Sequence, residues 1–574
     1  MPELKNAKKQ LIADLIRVEG MTAEDIYPLI AVPADRKMGD YAFPCFRLAK
    51  VLRKAPAQIA EDLKADVLSR PHPFQSVEAV NGYLNFKFDP KAGAAEVIAR
   101  IVAQKNRYGA FDLGEGRTVT IDYSSVNIAK PFHIGHLSST VIGGALYRIF
   151  KKMGFSVVGI NHLGDWGTQF GKLIVAYRNW GDDADLAARG IYALNDLYVR
   201  YHREAEADPA LDDLARAAFK SIEDNDPEAL KLFEMFKDIT LRAVRKVYDR
   251  LDITFDSYNG EAFYNDKMEP VLRELEQKGL LVLSDGAKVV DLKDYGMPPC
   301  LLVRSDGATL YATRDLAAAF YRKNTYDFYK NLYVVAYQQN LHFRQLFKVL
   351  ELMGMPWAKD CVHVAFGMVS LEEGTMSTRK GKVVWLNDVL NKAVEKSLAI
   401  ITEKNSALPD KERVAEQVGV GAVVFFALSN NRIKDIVFGY DKVLNFDGET
   451  GPYLQYTNAR CVSILKRKED YLDFLSASLT EAEIEDLAGE ETAALSAILE
   501  NMPAVLADVV EKYEPSLLSR YLIDVAQAFN RFYIANRIFD QGVCSRARLG
   551  MTYAVHTVLQ EGLRLLGIGA PEEM

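Results

Sequence analysis

The chain has 574 residues, 49% hydrophobic, 26% charged and 10% aromatic, so it carries the apolar material for a packed interior and is not a disordered polymer. Seventy basic against 78 acidic side chains leave a formal net charge of −8, which excludes a histone-like polycation but not a local basic groove. Five scattered cysteines, Cys45, Cys300, Cys361, Cys461 and Cys544, form no CxxC pair, so reduced core thiols are expected rather than a zinc site or a disulfide framework.

The length predicts about three or four domains. Residues 1–105 read as a small α/β domain: a helix over 3–19, helices near 45–68, an alternating strand over 77–88 and a helix from 90. Residues 106–116 carry three glycines and no periodicity, which predicts a linker. From 117 to 400 the pattern alternates strand and helix. Strands are expected over 118–123, 155–160, 332–337 and 362–369, with helices over 136–150, 168–180 and 341–353 between them. That alternation predicts an α/β domain built on a doubly wound parallel sheet. Residues 181–250 are rich in Ala, Asp and Glu at helical spacing and read as an insertion, while 301–304 and 309–312 flank the Asp306-Gly307 turn of an expected hairpin. From 401 to 574 strand signals stop and an all-α helix bundle is expected, with a capping box at Thr480 and Glu483. No run of about 18 apolar residues interrupts the chain, so a cytoplasmic protein without a membrane segment, working as a monomer, is expected.

The segment Asp122-Tyr123-Ser124-Ser125-Val126-Asn127-Ile128-Ala129-Lys130-Pro131-Phe132-His133-Ile134-Gly135-His136 runs from a strand end through a turn into a helix start. Open α/β sheets bind ligands there, and free N–H groups at a helix start favour phosphate. His133 and His136 can donate to phosphate oxygens while Gly135 lets a flat base lie against the backbone. Taken alone, a His-x-x-His pair could equally cap the helix or bind a metal. A second segment, Thr375-Met376-Ser377-Thr378-Arg379-Lys380-Gly381-Lys382, is a polar, basic loop between two strand patterns, suited to closing over phosphates or to being an ordinary solvated turn.

Together the two segments resemble the HIGH and KMSKS signatures of class I aminoacyl-tRNA synthetases, with His133-Ile134-Gly135-His136 a full match. The wording around them, Ser124 to Pro131, Gly164-Asp165-Trp166-Gly167-Thr168-Gln169-Phe170-Gly171, Tyr311-Ala312-Thr313-Arg314-Asp315 and Gly451-Pro452-Tyr453-Leu454-Gln455-Tyr456, resembles the arginyl-tRNA synthetase family along essentially the whole chain. The resemblance implies a Rossmann-type catalytic domain, an N-terminal domain that touches the outer corner of the tRNA, and a helical anticodon-binding domain. It implies ligation of L-arginine to tRNA(Arg) through an arginyl-adenylate, with ATP as substrate, Mg²⁺ accompanying it and no structural metal.

By that resemblance Lys130, His133 and His136 act on the phosphates, and His133, Gly135, His136, Met376, Ser377, Arg379 and Lys380 hold ATP. A guanidinium is planar, permanently charged and carries five donors, so its pocket needs carboxylates and an aromatic wall. Asp315, Tyr311 and Asp122 supply those types, although Asp315 could instead be a helix N-cap. By the same resemblance Ser125 and Asn127 hold the α-amino or carboxylate end of the substrate, and His162 resembles a substrate-site position unless it is a buried structural histidine; Gln338 or Gln339, at a strand's carboxyl end, is expected to complete the pocket.

Three residues depart from the family's wording: Val126 replaces a usual proline, Asp122 a common glutamate, and Thr378 the lysine for which the second signature is named. By resemblance Lys130 substitutes for that lysine, with Arg379, Lys380 and Lys382 as competing suppliers of charge. In the bundle, Tyr513, Tyr521, Phe529, Phe532, Tyr533 and Phe539 interleave with Arg520, Arg531 and Arg537, a pattern that serves base stacking or core filling. Two rival readings stand: a small-molecule adenylate-forming ligase, which needs no RNA-binding bundle, and a catalytically silent RNA-binding relative, whose histidines would have decayed.

Overall fold

The computed structural model describes residues 7–33, 35, 38–128, 130, 132–371 and 384–574. It divides into two compact units, one formed by Met1–Gly109, Cys461–Ala504 and Asp524–Leu559, the other by Ala110–Arg460, Val505–Ile523 and Gln560–Met574. The helical region beyond 401 is thus shared between the units.

In the first unit an antiparallel sheet has the order Tyr41–Pro44, Tyr83–Phe88, Phe74–Val80. The single strand expected over 77–88 is two strands, because Asn81 (φ 51°) and Gly82 (φ 78°) both take the left-handed conformation of a two-residue hairpin turn. Gly82 is also sterically required: a Cβ there would lie 2.9 Å from the Phe46 ring and from Pro56. Phe43, Leu84 and Phe86 from the sheet meet Ile12, Ile59 and Leu63 from the helices in one apolar core. The helix Pro90–Gln104 starts behind its Asp89 cap, buries Ala94, Val97, Ile98 and Ile101, and packs on the helix Glu490–Glu500. Around that junction Lys8 pairs with Glu500 at 2.6 Å and the Tyr108 hydroxyl donates to the Leu499 carbonyl at 2.9 Å. Thr480 and Glu483 form the expected capping box, and Phe529 and Phe532 are fully buried core residues, whereas Tyr533 is half-exposed.

The second unit contains the parallel sheet. Its strands are β1 (Thr118–Asp122), β2 (Ser156–Ile160), β3 (Lys330–Tyr333) and β4 (Cys361–His363), in the spatial order β4-β3-β1-β2. β1 is central, pairing with β2 and β3, and Val119 and Ile121 are fully buried, as a strand covered on both faces requires. The helix α1 (Leu137–Lys152) connects β1 to β2, and Gly143 lets it lie against the Tyr123 ring, which a Cβ would meet at 2.2 Å.

The helices α2 (Tyr311–Tyr326) and α3 (Asn340–Leu352) flank β3. The expected hairpin at 301–312 is present but shortened: Arg304 N–H donates to the Ala308 carbonyl at 2.9 Å and Leu310 N–H to the Leu302 carbonyl at 3.0 Å, after which the Ala-rich run from Tyr311 forms α2, while Cys300–Val303 also pairs with Ala287–Val290. The strand expected over 362–369 breaks after His363, because Gly367 passes against the Lys434 carbonyl, leaving 2.2 Å for a Cβ; Val369–Leu371 then pairs with Ile436–Phe438. The insertion is helical as expected, comprising Asp183–Arg189, Ile191–Ala207, Ala210–Glu223 and Pro227–Arg250. Among the described residues no single helix is long and apolar enough to cross a bilayer.

Candidate active site

The site forms where β1, β2 and β3 end. Beyond Asp122 the chain turns through Ser124 (φ 67°) and Ser125 (φ 42°), two consecutive non-glycine residues in the left-handed region, at about 1–3 kcal/mol each. The surroundings over-determine this turn. Ser124 N–H donates to Ser139 Oγ at 2.9 Å, Ser139 Oγ donates to the Val334 carbonyl at 2.7 Å, and Ser124 Oγ lies 2.8 Å from both Thr140 Oγ1 and the Tyr248 hydroxyl. Ser125 Oγ donates to Asp122 Oδ1 at 2.6 Å.

Asp122 Oδ2 accepts from Arg322 Nη2 at 2.7 Å, a pair whose side chains are 8% and 1% exposed. Asp122 therefore meets the site with its charge already matched by the chain's own guanidinium. Arg322 lies seven residues, two helical turns, beyond Asp315 on α2, and the sequence analysis did not single it out. Asn127 is exposed; its neighbours Val126 and Ile128 hydrogen-bond to Gly164, where a Cβ would fall 2.1 Å from Asn127 Oδ1.

His133 and His136 start the helix together. His133 Nδ1 accepts from Gly135 N–H at 3.1 Å and His136 Nδ1 accepts from His133 N–H at 3.2 Å, with ring centroids 4.0 Å apart. Both Nδ1 atoms being acceptors, the hydrogen of each neutral ring sits on Nε2. Burial, aided by the Lys130 ammonium, pushes His133 down to about 4; burial and then His133 push His136 down to about 3. At neutral pH the pair is two uncharged N–H donors.

Met376, Ser377, Arg379 and Lys380, with Thr378 and Lys382, lie outside the described residues. The chain that follows them is tied to the first signature: Ile134 N–H donates to the Val384 carbonyl at 3.1 Å and Leu386 N–H to the Phe132 carbonyl at 2.9 Å. Trp385 bridges His133 and packs at a tilt of 41° against Tyr192 of the insertion, 4.4 Å between centroids. No pattern in the sequence pointed to Trp385.

Asp315 is the fifth residue of α2, whose N-cap is Leu310, so it does not cap the helix. Tyr311, one turn earlier, is 64% exposed. Asp315 Oδ2 lies 2.7 Å from His342 Nε2, and Oδ1 lies 3.9 Å from His162 Nε2. Burial would raise the Asp315 carboxyl, yet the His342 hydrogen bond and charge, with His162 and Arg322, hold it below the usual range. His162 is itself pushed down, by burial first, and its Nδ1 is buried without a hydrogen-bond partner. Gln338 and Gln339 share one short turn, Tyr337–Gln339, and both are exposed.

Glu261 was not anticipated. It is 3.8 Å from Arg314 Nη1, and burial, with Asp315 and Asp165 nearby, pushes its carboxyl up to about 7 against the pull of Arg314 and Lys130. Asp165 is paired with Lys237 at 3.0 Å and accepts from Ala262 N–H at 2.9 Å. The region thus contains two buried carboxylates matched by cations, Asp122 by Arg322 and Asp165 by Lys237, beside two of different character, Asp315 and Glu261.

A parallel sheet opening onto two neutral imidazole donors at a helix start, with acidic side chains at the next strand ends, defines the catalytic domain of a class I aminoacyl-tRNA synthetase. The profile for "tRNA synthetases class I (R), catalytic domain" matches residues 97–440, that for the arginyl-tRNA synthetase N-terminal domain matches 3–88, and that for the DALR anticodon-binding domain matches 454–574. The chain belongs to the arginyl-tRNA synthetase family. Among its relatives, an arginine–tRNA ligase of Alkaliphilus metalliredigens is 50% identical over 570 residues, covering 99% of each chain. One of Clostridioides difficile is 49% identical over 560 residues, covering 97% of this chain and 98% of the relative. The arginyl-tRNA synthetase structure from Thermus thermophilus superposes with a TM-score of 0.77 at 27% identity, covering all of both chains.

Proposed function

We infer that the chain ligates L-arginine to tRNA(Arg) in two steps at one site. The arginine carboxylate attacks the α-phosphorus of ATP, the bond to the pyrophosphate oxygen breaks, and arginyl-adenylate and pyrophosphate result. The 2′-hydroxyl of the tRNA's terminal adenosine then attacks the adenylate carbonyl, AMP leaves, and the hydroxyl proton is released. Neither step uses a protein nucleophile; positioning and charge stabilisation carry the chemistry. The observation that carries this reading is the locked tautomer of His133 and His136. Two neutral Nε2–H donors at a helix start suit phosphate oxygens whose charge shifts during displacement.

Gly135 leaves room for the adenine. Asp315, with the Tyr311 ring at its side, takes the guanidinium, while Ser125 and Asn127 hold the α-amino and carboxylate end and Gln338 or Gln339 completes the pocket. Asp122, paired with Arg322, holds the Ser125 hydroxyl in place and reaches the α-ammonium as half of an ion pair. Because the two imidazoles carry no charge at neutral pH, the cation at the phosphates is Lys130, assisted by Met376, Ser377, Arg379 and Lys380 of the second signature.

Among the described residues no group of three or more His, Cys, Asp or Glu is spaced to cage a metal. Mg²⁺ would enter with ATP as part of the substrate and would supply charge screening for the leaving pyrophosphate.

The division of labour is an N-terminal tRNA-contacting part over 1–105, a catalytic part over 117–400 with its helical insertion, and an anticodon-binding part over 401–574. The three matched ranges support it. The protein works as a cytoplasmic monomer, its activation step depending on bound tRNA. Arginine-dependent ATP–pyrophosphate exchange, measured with and without tRNA(Arg), tests the whole reading: exchange only with arginine and tRNA is expected, and exchange with another amino acid, or none, overturns it.

A further inference from the structure

The Asp315 carboxylate is held from outside its own helix. His342 is the third residue of α3, and its Nε2 comes within 2.7 Å of Asp315 Oδ2. The two side chains are 23% and 24% exposed, so the contact is largely shielded from water. Asp315 is held ionised by its neighbours, so Oδ2 accepts and His342 Nε2–H donates. Such a charge-assisted bond is among the stronger ones a side chain makes. The other oxygen, Oδ1, has His162 Nε2 at 3.9 Å, beyond hydrogen-bond reach. An aspartate has two torsions to fix, and among the described residues one donor reaches Asp315 and fixes one oxygen.

We propose that His342 is the positioning residue for amino-acid recognition: it grips Oδ2 of Asp315 and so presents Oδ1 to the guanidinium of arginine. The inference rests on the assignment of Asp315 to the guanidinium. A guanidinium recognises a carboxylate by the direction of its lone pairs as well as by its charge, so a carboxylate free to rotate forfeits binding even when its charge is intact. His342 acts through Asp315 and does not itself touch the substrate. Its influence is confined to arginine, because the phosphate-binding imidazoles belong to a different strand end. Glutamine is the conservative replacement, since its Nε2 donor reaches about as far as the imidazole Nε2.

The full-length protein is assayed by ATP–pyrophosphate exchange in the presence of tRNA(Arg), with arginine and ATP varied separately and citrulline, which is uncharged but nearly isosteric, as competitor. His342→Ala is expected to raise the KM for arginine about tenfold and to narrow the discrimination against citrulline by a similar factor, with the KM for ATP within about twofold of the parent. His342→Gln is expected to return the KM for arginine to within about threefold of the parent, and Asp315→Asn/His342→Ala to be no worse than Asp315→Asn alone. An unchanged KM for arginine in His342→Ala, beside a crippled Asp315→Asn, overturns the role of His342 and leaves Asp315 in place. A normal KM for arginine in Asp315→Asn overturns the Asp315 assignment itself. Equal rises in both KM values, or a His342→Gln variant as impaired as His342→Ala with an unchanged melting temperature, also overturn the positioning role.

Discussion

Replacing Glu261 with glutamine removes a charge that the folded protein holds at a penalty. The side chain is 13% exposed and its carboxyl sits at about 7 rather than 4.5, chiefly through burial. A carboxyl raised on folding stabilises the fold fully below its unfolded value of 4.5, and that contribution is lost as pH rises through about 7. At about 1.4 kcal/mol for each pH unit, the interval corresponds to a ceiling of roughly 3 kcal/mol withheld from the ionised protein at pH 8. Glutamine keeps the shape of the protonated acid and does not titrate. For a folding unit of roughly 385 residues, Glu261→Gln should melt up to about 4 °C higher than the parent at pH 8 and at the same temperature near pH 5. Melting followed by circular dichroism from pH 5 to 8 reads this directly. His133 and His136, held near 4 and 3 in the fold, take up protons near 6.5 when unfolded, but this is common to parent and variant and cancels in their difference. A guanidinium bound at Asp315, whose charge already acts on Glu261, would also favour the ionised form of Glu261, so the parent's kcat/KM for arginine should climb through pH 7 and that of the variant should not. A melting difference that stays constant from pH 5 to 8, or none at pH 8, refutes the electrostatic account of Glu261.

Asp315→Asn should raise the KM for arginine by on the order of 10²-fold, since a buried charged partner is removed, while the KM for ATP stays within a few-fold; exchange kinetics decide it. Lys130→Ala should lower arginine activation by roughly 10²-fold, about 2.7 kcal/mol of barrier, with ground-state ATP affinity changed less. A near-silent Lys130→Ala beside an inactive Lys380→Ala or Lys382→Ala would move the phosphate-stabilising charge to the second signature. In the first unit, Phe46 and Tyr83 meet edge to face at 5.1 Å yet remain 49% and 43% exposed, an aromatic pair left available for a base. Phe46→Ala or Tyr83→Ala should raise the KM for tRNA several-fold and leave that for ATP unchanged in aminoacylation assays.

The parts of the site that were legible in the sequence are those whose residues are neighbours in the chain. The turn from Asp122 to His136 is one contiguous run, and its strand end, helix start and paired imidazoles all follow from local pattern. Arg322 was hidden because its partner, Asp122, is 200 positions away; a helical charge without its partner in view reads as solvated surface. His342 and Glu261 were hidden for the same reason, each joining Asp315 or Arg314 through tertiary packing alone. In the fold, the parallel alternation was readable because buried strands are short apolar runs. The breaks were not: Gly367 leaves the sheet to run closely against the backbone of 432–434, and Asn81-Gly82 turns inside what alternation made a single strand. The sharing of 461–559 between two compact units leaves no mark on composition or periodicity.

That sharing has a consequence for how the protein is made. The sheet and helices of residues 12–88 own a complete apolar core and can close as soon as they leave the ribosome. The helix Pro90–Gln104 cannot, because part of its apolar face, including Val97, Ile98 and Ile101, belongs to a unit completed by residues 461–504 and 524–559. Ile98 meets Gly550, and the partner helix Glu490–Glu500 is synthesised some 390 residues later, a delay of about 20–80 s at typical translation rates of 5–20 residues per second. During that interval a greasy helix face waits uncovered on a nascent chain that is already partly folded. Any slowing of elongation between codons 110 and 490 lengthens its exposure, and chaperone occupancy on stalled chains should concentrate on this helix rather than on the finished sheet before it.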